Sequence, residues 1–289
     1  MKTYIECIPC IINNGIAAAK RLKAKDPVIE NMTREILVHL SKKDYNTSPP
    51  ALVKGVYEII NEYLETQDPY GDVKNYFNSE LLKLEDEFKK LIEESENRFQ
   101  KALKLAIAGN IIDFGIKSEI SKKMVLRHIN EVENKTLEID DSKKLYDNLK
   151  ESKTLLYLGD NCGEIVFDKI FIEEIKKEFP HLSIKFAVRG KAVINDATLE
   201  DAYYIGLNEV VSVISNGDGA PGTVIEDCSE DFKKEFYSAD IIISKGQGNY
   251  ESLNEIDREN VYFLFMAKCN VVTKGLNVPN MSFVCKKHY

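Results

Sequence analysis

From Thr154 onward, short apolar runs alternate with stretches of helical spacing. Leu155 to Leu158 is a continuous run of aliphatic and aromatic residues closed by Gly159, the pattern of a strand covered on both faces. Comparable runs recur at Ser183–Val188, Glu209–Ile214, Asp240–Ile243 and Val261–Ala267, with a weaker one at Ser282–Cys285. Between them, Ile165–Phe179, Thr198–Ile205 and Ser229–Ser238 carry apolar residues at helical intervals. Strands alternating with helices predict an α/β fold, a mostly parallel sheet with helices on both faces. The earlier part of the chain reads differently. Cys7–Leu22, Val28–Leu40 and Ala51–Leu64 have helical spacing, and Leu81–Leu105 predicts one long exposed helix. Asp44–Pro50 and Gln67–Asp72 hold the turn residues that separate them, and no strand pattern occurs there. The chain therefore divides into a helical subdomain (residues 1–115), a helical connection (116–153) and an α/β core (154–289).

Charge and cysteine content narrow the class of protein. The 289 residues carry a net charge of −8, which argues against a nucleic-acid partner. No apolar run is long enough to span a bilayer, and Glu6 and Pro9 interrupt any leader-like start, so no membrane partner is expected. Six cysteines are too sparse for a disulfide scaffold, which makes a cytoplasmic protein the simplest reading. The oligomeric state is left open.

The candidate chemistry lies after the strands. Asp160 and Asn161 follow the first, and either one also suits the cap of the next helix. Arg189-Gly190-Lys191 and then Asn195-Asp196 follow the second. The glycine-rich loop Asn216 to Gly222, with Gly217 and Gly219, follows the third, and Ser244-Lys-Gly-Gln-Gly-Asn249 and Glu251 follow the fourth. All four clusters therefore share the edge at which open α/β sheets bind ligands. Asp160, Asn161 and Asp196 offer only oxygen donors, which suits a divalent ion that keeps waters and a substrate phosphate in its shell. Lys245 adds a point charge for phosphate oxygens, and the backbone at Gly217, Gly219, Gly246 and Gly248 can form anion-binding concavities. None of the four histidines lies in these loops, which argues against a histidine nucleophile or a histidine-rich zinc site. Together these features point to metal-assisted phosphoryl transfer.

Gly159-Asp-Asn-Cys-Gly-Glu164, Asn195-Asp196 and Ser244-Lys-Gly-Gln-Gly-Asn-Tyr-Glu251 resemble the damage-control metal phosphatases, one branch of which was described as acidic-residue methyltransferases. Ala108-Gly-Asn-Ile-Ile-Asp-Phe-Gly115 is similar to a further element of that family, and Cys7-Ile-Pro-Cys10 to its prokaryotic branch. The resemblance runs almost end to end and implies a helical amino-terminal part packed on an α/β core. It implies Asp160, Asn161 and Asp196 as metal ligands and as catalytic residues, with Lys245 contacting phosphate. Asn110 and Asp113 would border the same pocket, and Arg189, Asn195, Asn249 and Glu251 belong to the expected phosphate and substrate set. The implied cofactor is Mn²⁺, Ni²⁺, Co²⁺ or Mg²⁺. The implied substrates are small phosphorylated metabolites such as sugar phosphates and phosphopantetheine-like compounds.

Two rival readings stand beside this one. The Leu155 to Gly159 strand and loop resemble the start of an S-adenosylmethionine-dependent carboxyl methyltransferase, but the loop lacks closely spaced glycines, and Asp196 and Lys245 would be idle. A metal- or phosphometabolite-binding protein without turnover needs the same ligands. Cys7 and Cys10 read either as half of a zinc site or redox pair, or as small residues packing at a helix start. Cys162 reads as a small filler in the key loop.

Overall fold

In the computed structural model, which describes residues 1–109, 132 and 135–289, the run from Leu155 to Leu158 is an interior strand of a seven-stranded sheet. The strands are β1 (Leu137–Asp140), β2 (Thr154–Leu158), β3 (Ser183–Val188), β4 (Ser212–Ser215), β5 (Ile241–Lys245), β6 (Val261–Ala267) and β7 (Ser282–Lys287). Their order across the sheet is β1-β7-β6-β5-β2-β3-β4. Strand β2 pairs in parallel with both β3 and β5, Leu155 standing beside Ile184 on one side and Ile241 on the other. Helices cover both of its faces, so every position from Leu155 to Leu158 is buried and the apolar run is unbroken. Strand β7 runs antiparallel to β6, and β1 runs parallel to β7.

One face of the sheet packs on α4 (Gly71–Leu82), α5 (Glu85–Glu93), α6 (Arg98–Ala108), α7 (Ser142–Glu151) and α8 (Glu164–Glu178), in a core that joins Phe88, Leu103, Leu145 and Phe171 to Tyr157 and Phe186. The opposite face packs on α10 (Glu230–Ser238), α11 (Gln247–Leu253) and α12 (Asn270–Leu276) through Phe232, Phe236, Leu253 and Val272. Helix α9 (Leu199–Tyr204) follows β3 and begins with a capping box between Thr198 and Asp201. A third core holds α1 (Cys7–Arg21), α2 (Asp26–Ser41) and α3 (Pro49–Leu64) together through Ile11, Ile36 and Ile60. Gly15 makes that packing possible, since a Cβ there would sit 2.8 Å from Ile36 Cδ1. The implied helical part packed on an α/β core is thus present.

Several elements differ from the sequence reading, α4 (Gly71–Leu82) among them, most of which was not expected as a helix. The stretch Leu81–Leu105 is not one helix but the end of α4, all of α5 and most of α6. The Asn97 side chain accepts a hydrogen bond from Gln100 N at 3.0 Å and restarts the chain as α6, a capping signal masked by the apolar spacing around it. The connection at 116–153 is not wholly helical: β1 lies in it and joins the sheet beside β7. This edge strand is four residues long with alternate residues exposed, so its apolar signal is thin. Finally, Gln247–Leu253 and Asn270–Leu276 are helices where no helix was expected. Gly246, with φ of 80°, turns the chain from β5 straight into α11 without a loop.

Candidate active site

After β2 the chain returns to form β3 and β4 on one side, then crosses to form β5 and β6 on the other. The carboxyl end of β2 is therefore a topological switch point, where an open α/β sheet leaves a crevice. Asp160 and Asn161 leave β2 there, and Asn195-Asp196 comes in from the loop after β3. Backbone bonds stitch the two loops together: Ala197 N donates to Asp160 O (2.8 Å), Cys162 N donates to Asn195 O (2.9 Å), and Asn161 and Asp196 form an isolated bridge. In that loop Ile194 holds φ at 47°, a left-handed conformation that a β-branched residue adopts at a cost of roughly 1–3 kcal/mol. The helical subdomain supports the same turn from outside, because the fully buried Asn78 accepts from Gly163 N (2.6 Å) and donates to Asp201 (3.2 Å).

Asp160, Asn161, Asn195 and Asp196 line one side of a cavity of about 300 Å³. Helices α1, α3 and α11 and the residues after β6 build the remainder, with Glu251, Gln247 and Lys268 among its polar lining. Gln247 is fixed at both ends of its amide: Nε2 donates to Glu251 Oε1 (2.8 Å), and Oε1 accepts from the backbone of Lys268 and Cys269. Burial pushes the Glu251 carboxyl up to about 7, against the pull of Gln247 and the N-terminal amine.

Behind the cavity, Arg189 binds both key carboxylates. It is buried, its Nε donates to Asp196 Oδ2 (2.7 Å), and Nη2 lies 3.5 Å from Asp160 Oδ1. Nη1 donates to Asn249 Oδ1 (3.0 Å), which also accepts from Thr223 Oγ1 (2.7 Å). The Asn249 amide nitrogen in turn donates to the carbonyls of Gly159 and Lys245. Arg189 and Asn249 thus serve as struts beneath Asp160 and Asp196 and do not line the cavity. Gly246 is part of the same support. It packs so closely on Asp160 that a Cβ there would fall 1.9 Å from Oδ2.

Lys245 requires a correction. Its ammonium does not reach the mouth of the crevice; it is fully buried and donates to Glu164 Oε1 (2.6 Å), Asp168 Oδ1 (2.5 Å) and Ala106 O (2.8 Å). As the last residue of β5 it follows the inward alternation of that strand, which points it at α8 and α6. Burial alone would lower its proton affinity, but the charges of Asp168 and Glu164 raise it above the ordinary lysine value. Asp168 is itself pushed up to about 6 by burial, with Lys245 pulling the other way. Glu164 closes the Gly159–Glu164 motif but was given no role from the sequence, and Asp168 gave no signal apart from its position four residues further on α8, where both face the sheet. The triad still touches the site, because Asn161 Nδ2 lies 3.4 Å from Glu164 Oε2.

The glycine loop also differs from expectation. Gly217 and Gly219 do not line the cavity; Gly217 packs against Gly190, whose Cβ would lie 2.4 Å from the Gly217 carbonyl carbon. Pro221, further along that loop, does reach the cavity. Asn110 and Asp113 lie outside the described residues.

Burial, with the charges of Asp196 and Glu164, raises Asp160 well above the usual carboxylate range, even though Arg189 and Lys245 oppose this. Burial likewise raises Asp196, with Arg189 opposing. The two carboxylates are thus held out of water with one guanidinium, Arg189, shared between them. Among the described residues no three His, Cys, Asp or Glu side chains converge into a ready cage. Two carboxylates and an amide oxygen instead fit an open site of the kind hard divalent ions occupy with waters completing the shell.

Residues 3–284 match the family model described as the damage-control phosphatase ARMT1-like domain. The chain is 33% identical to a damage-control phosphatase of Pyrococcus horikoshii, over 100% of this chain and 99% of that protein. It is 30% identical to a damage-control phosphatase of Archaeoglobus fulgidus, over 97% and 98%. An uncharacterized protein of Methanocaldococcus jannaschii is 36% identical, over 96% and 93%. The crystal structure of a DUF89 family protein from Pyrococcus horikoshii superposes with a TM-score of 0.93 at 32% identity, covering 100% of both chains.

Proposed function

We propose that this chain, which belongs to the damage-control phosphatase ARMT1-like family, is a divalent-metal-dependent hydrolase of small phosphomonoesters. The observation that carries this reading is the union of Asp160, Asn161 and Asp196, from two separate loops, on one wall of a cavity at the switch point. These three would hold the ion, Mn²⁺, Ni²⁺, Co²⁺ or Mg²⁺. When bound, the ion supplies Lewis-acid stabilisation of a phosphoryl group. The chain's own part is positioning. Arg189 and Gly246 hold the two carboxylates in place, and Asn161 is steadied by Asp160 Oδ2, which accepts from its Nδ2 at 2.7 Å. Small phosphorylated metabolites are the substrate range this cavity volume suits.

The test is a phosphate-release screen on chelator-stripped protein with each metal added back. We expect no release from the stripped protein and recovery with at least one of the four ions. Full activity after stripping would remove the metal from the reading. A second expectation concerns Gly246→Ala. Its methyl group would collide with Asp160 at a backbone angle that favours glycine, so Asp160 must move. Phosphate release should fall by roughly a hundredfold, as for other displaced electrostatic groups, while the circular dichroism spectrum stays that of the parent. Unchanged turnover would show that Asp160 does not need its present place.

No helix among the described residues is long and apolar enough to cross a membrane.

A further inference from the structure

Beyond the Asp160–Asp196 pair, the cavity lining has a definite chemistry of its own. Ile11 and Val53 of the helical subdomain, Ile194, Pro221 and Met266 form most of that wall. Cys7 and Cys10, at the start of α1, complete it; burial raises both thiols, so at neutral pH they are uncharged and act as small apolar surfaces. Cys269, distant in sequence, lines the same wall. The Cys-x-x-Cys pair is in this way a piece of cavity surface. The charged and polar side chains there include Glu6, Glu251, Lys268 and Asn14, and burial raises the Glu251 carboxyl to about 7. The amide of Gln247 is already committed to Glu251 and to the backbone after β6.

The geometry points to a phosphomonoester of an uncharged, largely apolar alcohol as the substrate class, with the alcohol half seated against Ile11, Val53, Ile194 and Met266. The inference rests on the phosphatase reading and narrows it. A polyhydroxylated alcohol would bring many donors and acceptors to a lining whose polar side chains, beyond the acids, Asn161, Asn195 and Gln247, are Asn14 and Lys268, and hydroxyls set against Ile11, Val53 and Met266 cost binding in the transition state. An alcohol half with its own carboxylate or second phosphate would share the cavity with Glu6 and with Glu251 in its ionised form.

Three primary alkyl esters of matched intrinsic reactivity test it: hexyl phosphate, its ω-carboxylate analogue, and a hexose phosphorylated on its primary hydroxyl. With the metal that supports activity, kcat/KM for hexyl phosphate should exceed that for the hexose ester by roughly 10–100-fold, the range by which apolar pockets discriminate. It should exceed that for the carboxylate ester by about tenfold, the effect of one unfavourable charge at partial burial. Calorimetric titration of the corresponding phosphonates, which do not turn over, should give the same order of affinity. Glu251→Gln should narrow the gap between the hexyl and carboxylate esters. A hexose or carboxylate ester used as well as hexyl phosphate overturns the inference and leaves the phosphatase reading intact. Failure of all three esters to release phosphate and of all three phosphonates to bind, with every metal, overturns both.

Discussion

Replacing Asp160 or Asp196 with asparagine should reduce phosphate release on the order of a thousandfold or more, about 4 kcal/mol of transition-state stabilisation. Both carboxylates line the cavity, and both are nearly sealed from solvent, at 6% and 3% exposed. The two variants should part company in stability. Asp196 is the near partner of the Arg189 guanidinium at 2.7 Å, whereas Asp160 lies 3.5 Å from it. Asp196→Asn leaves a buried guanidinium with its close anion gone, so metal-free protein should unfold at a lower temperature. Asp160→Asn removes a carboxylate crowded by Asp196 and Glu164, so the metal-free melting temperature should hold or rise. Thermal melts of both, with and without the activating metal, check this. Wild type should gain stability on metal addition by mass action, and neither variant should gain as much. Near-normal turnover in either variant would show that the hydrolytic centre lies elsewhere.

Much of this site was legible because each polar cluster follows a strand whose apolar run is hard to mistake. β2 and β6 were readable in this way since both faces are covered, and a run such as Val261–Ala267 has no polar interruption. Asp160, Asn161, Asn195 and Asp196 followed, because position after a strand in a parallel sheet also fixes the edge. What sequence position leaves open is the direction of a long side chain. Lys245 and Arg189 both follow strands and both read as phosphate contacts, yet each is turned inward onto carboxylates. For Lys245 those partners are Glu164 and Asp168, more than seventy residues away in sequence. Asn78 was invisible for the same reason: it is one asparagine in an unremarkable helix until tertiary packing brings Gly163 N against it. β1 was missed because a short edge strand buries only alternate residues and lacks the strong apolar run.

Lys245→Met should produce the largest loss of stability of any substitution considered. The ammonium is fully buried between Glu164 and Asp168, and methionine keeps most of its volume while removing its charge. Breaking a buried ion cluster from one side costs about 3–5 kcal/mol, since the remaining carboxylates lose their counter-charge and stay out of water. That is a large share of the roughly 5–15 kcal/mol by which domains of this kind are stable. The pH dependence gives the loss a signature. Asp168 already titrates at about 6, above its ordinary value of 3.8, with Lys245 restraining it. Without Lys245 its proton affinity rises further. A carboxyl whose folded-state value is raised holds more protons in the native than in the unfolded protein between the two values, so stability falls as pH climbs through that window and returns on acidification. The deficit of Lys245→Met relative to wild type should therefore be largest near pH 8 and shrink towards about pH 5, as read by denaturant midpoints at each pH. Phosphate release should decline as well, because Glu164 approaches Asn161 and its displacement disturbs the turn that carries Asp160. A variant as stable as wild type near pH 8, with phosphate affinity alone weakened, would return Lys245 to the cavity and to direct contact with the substrate.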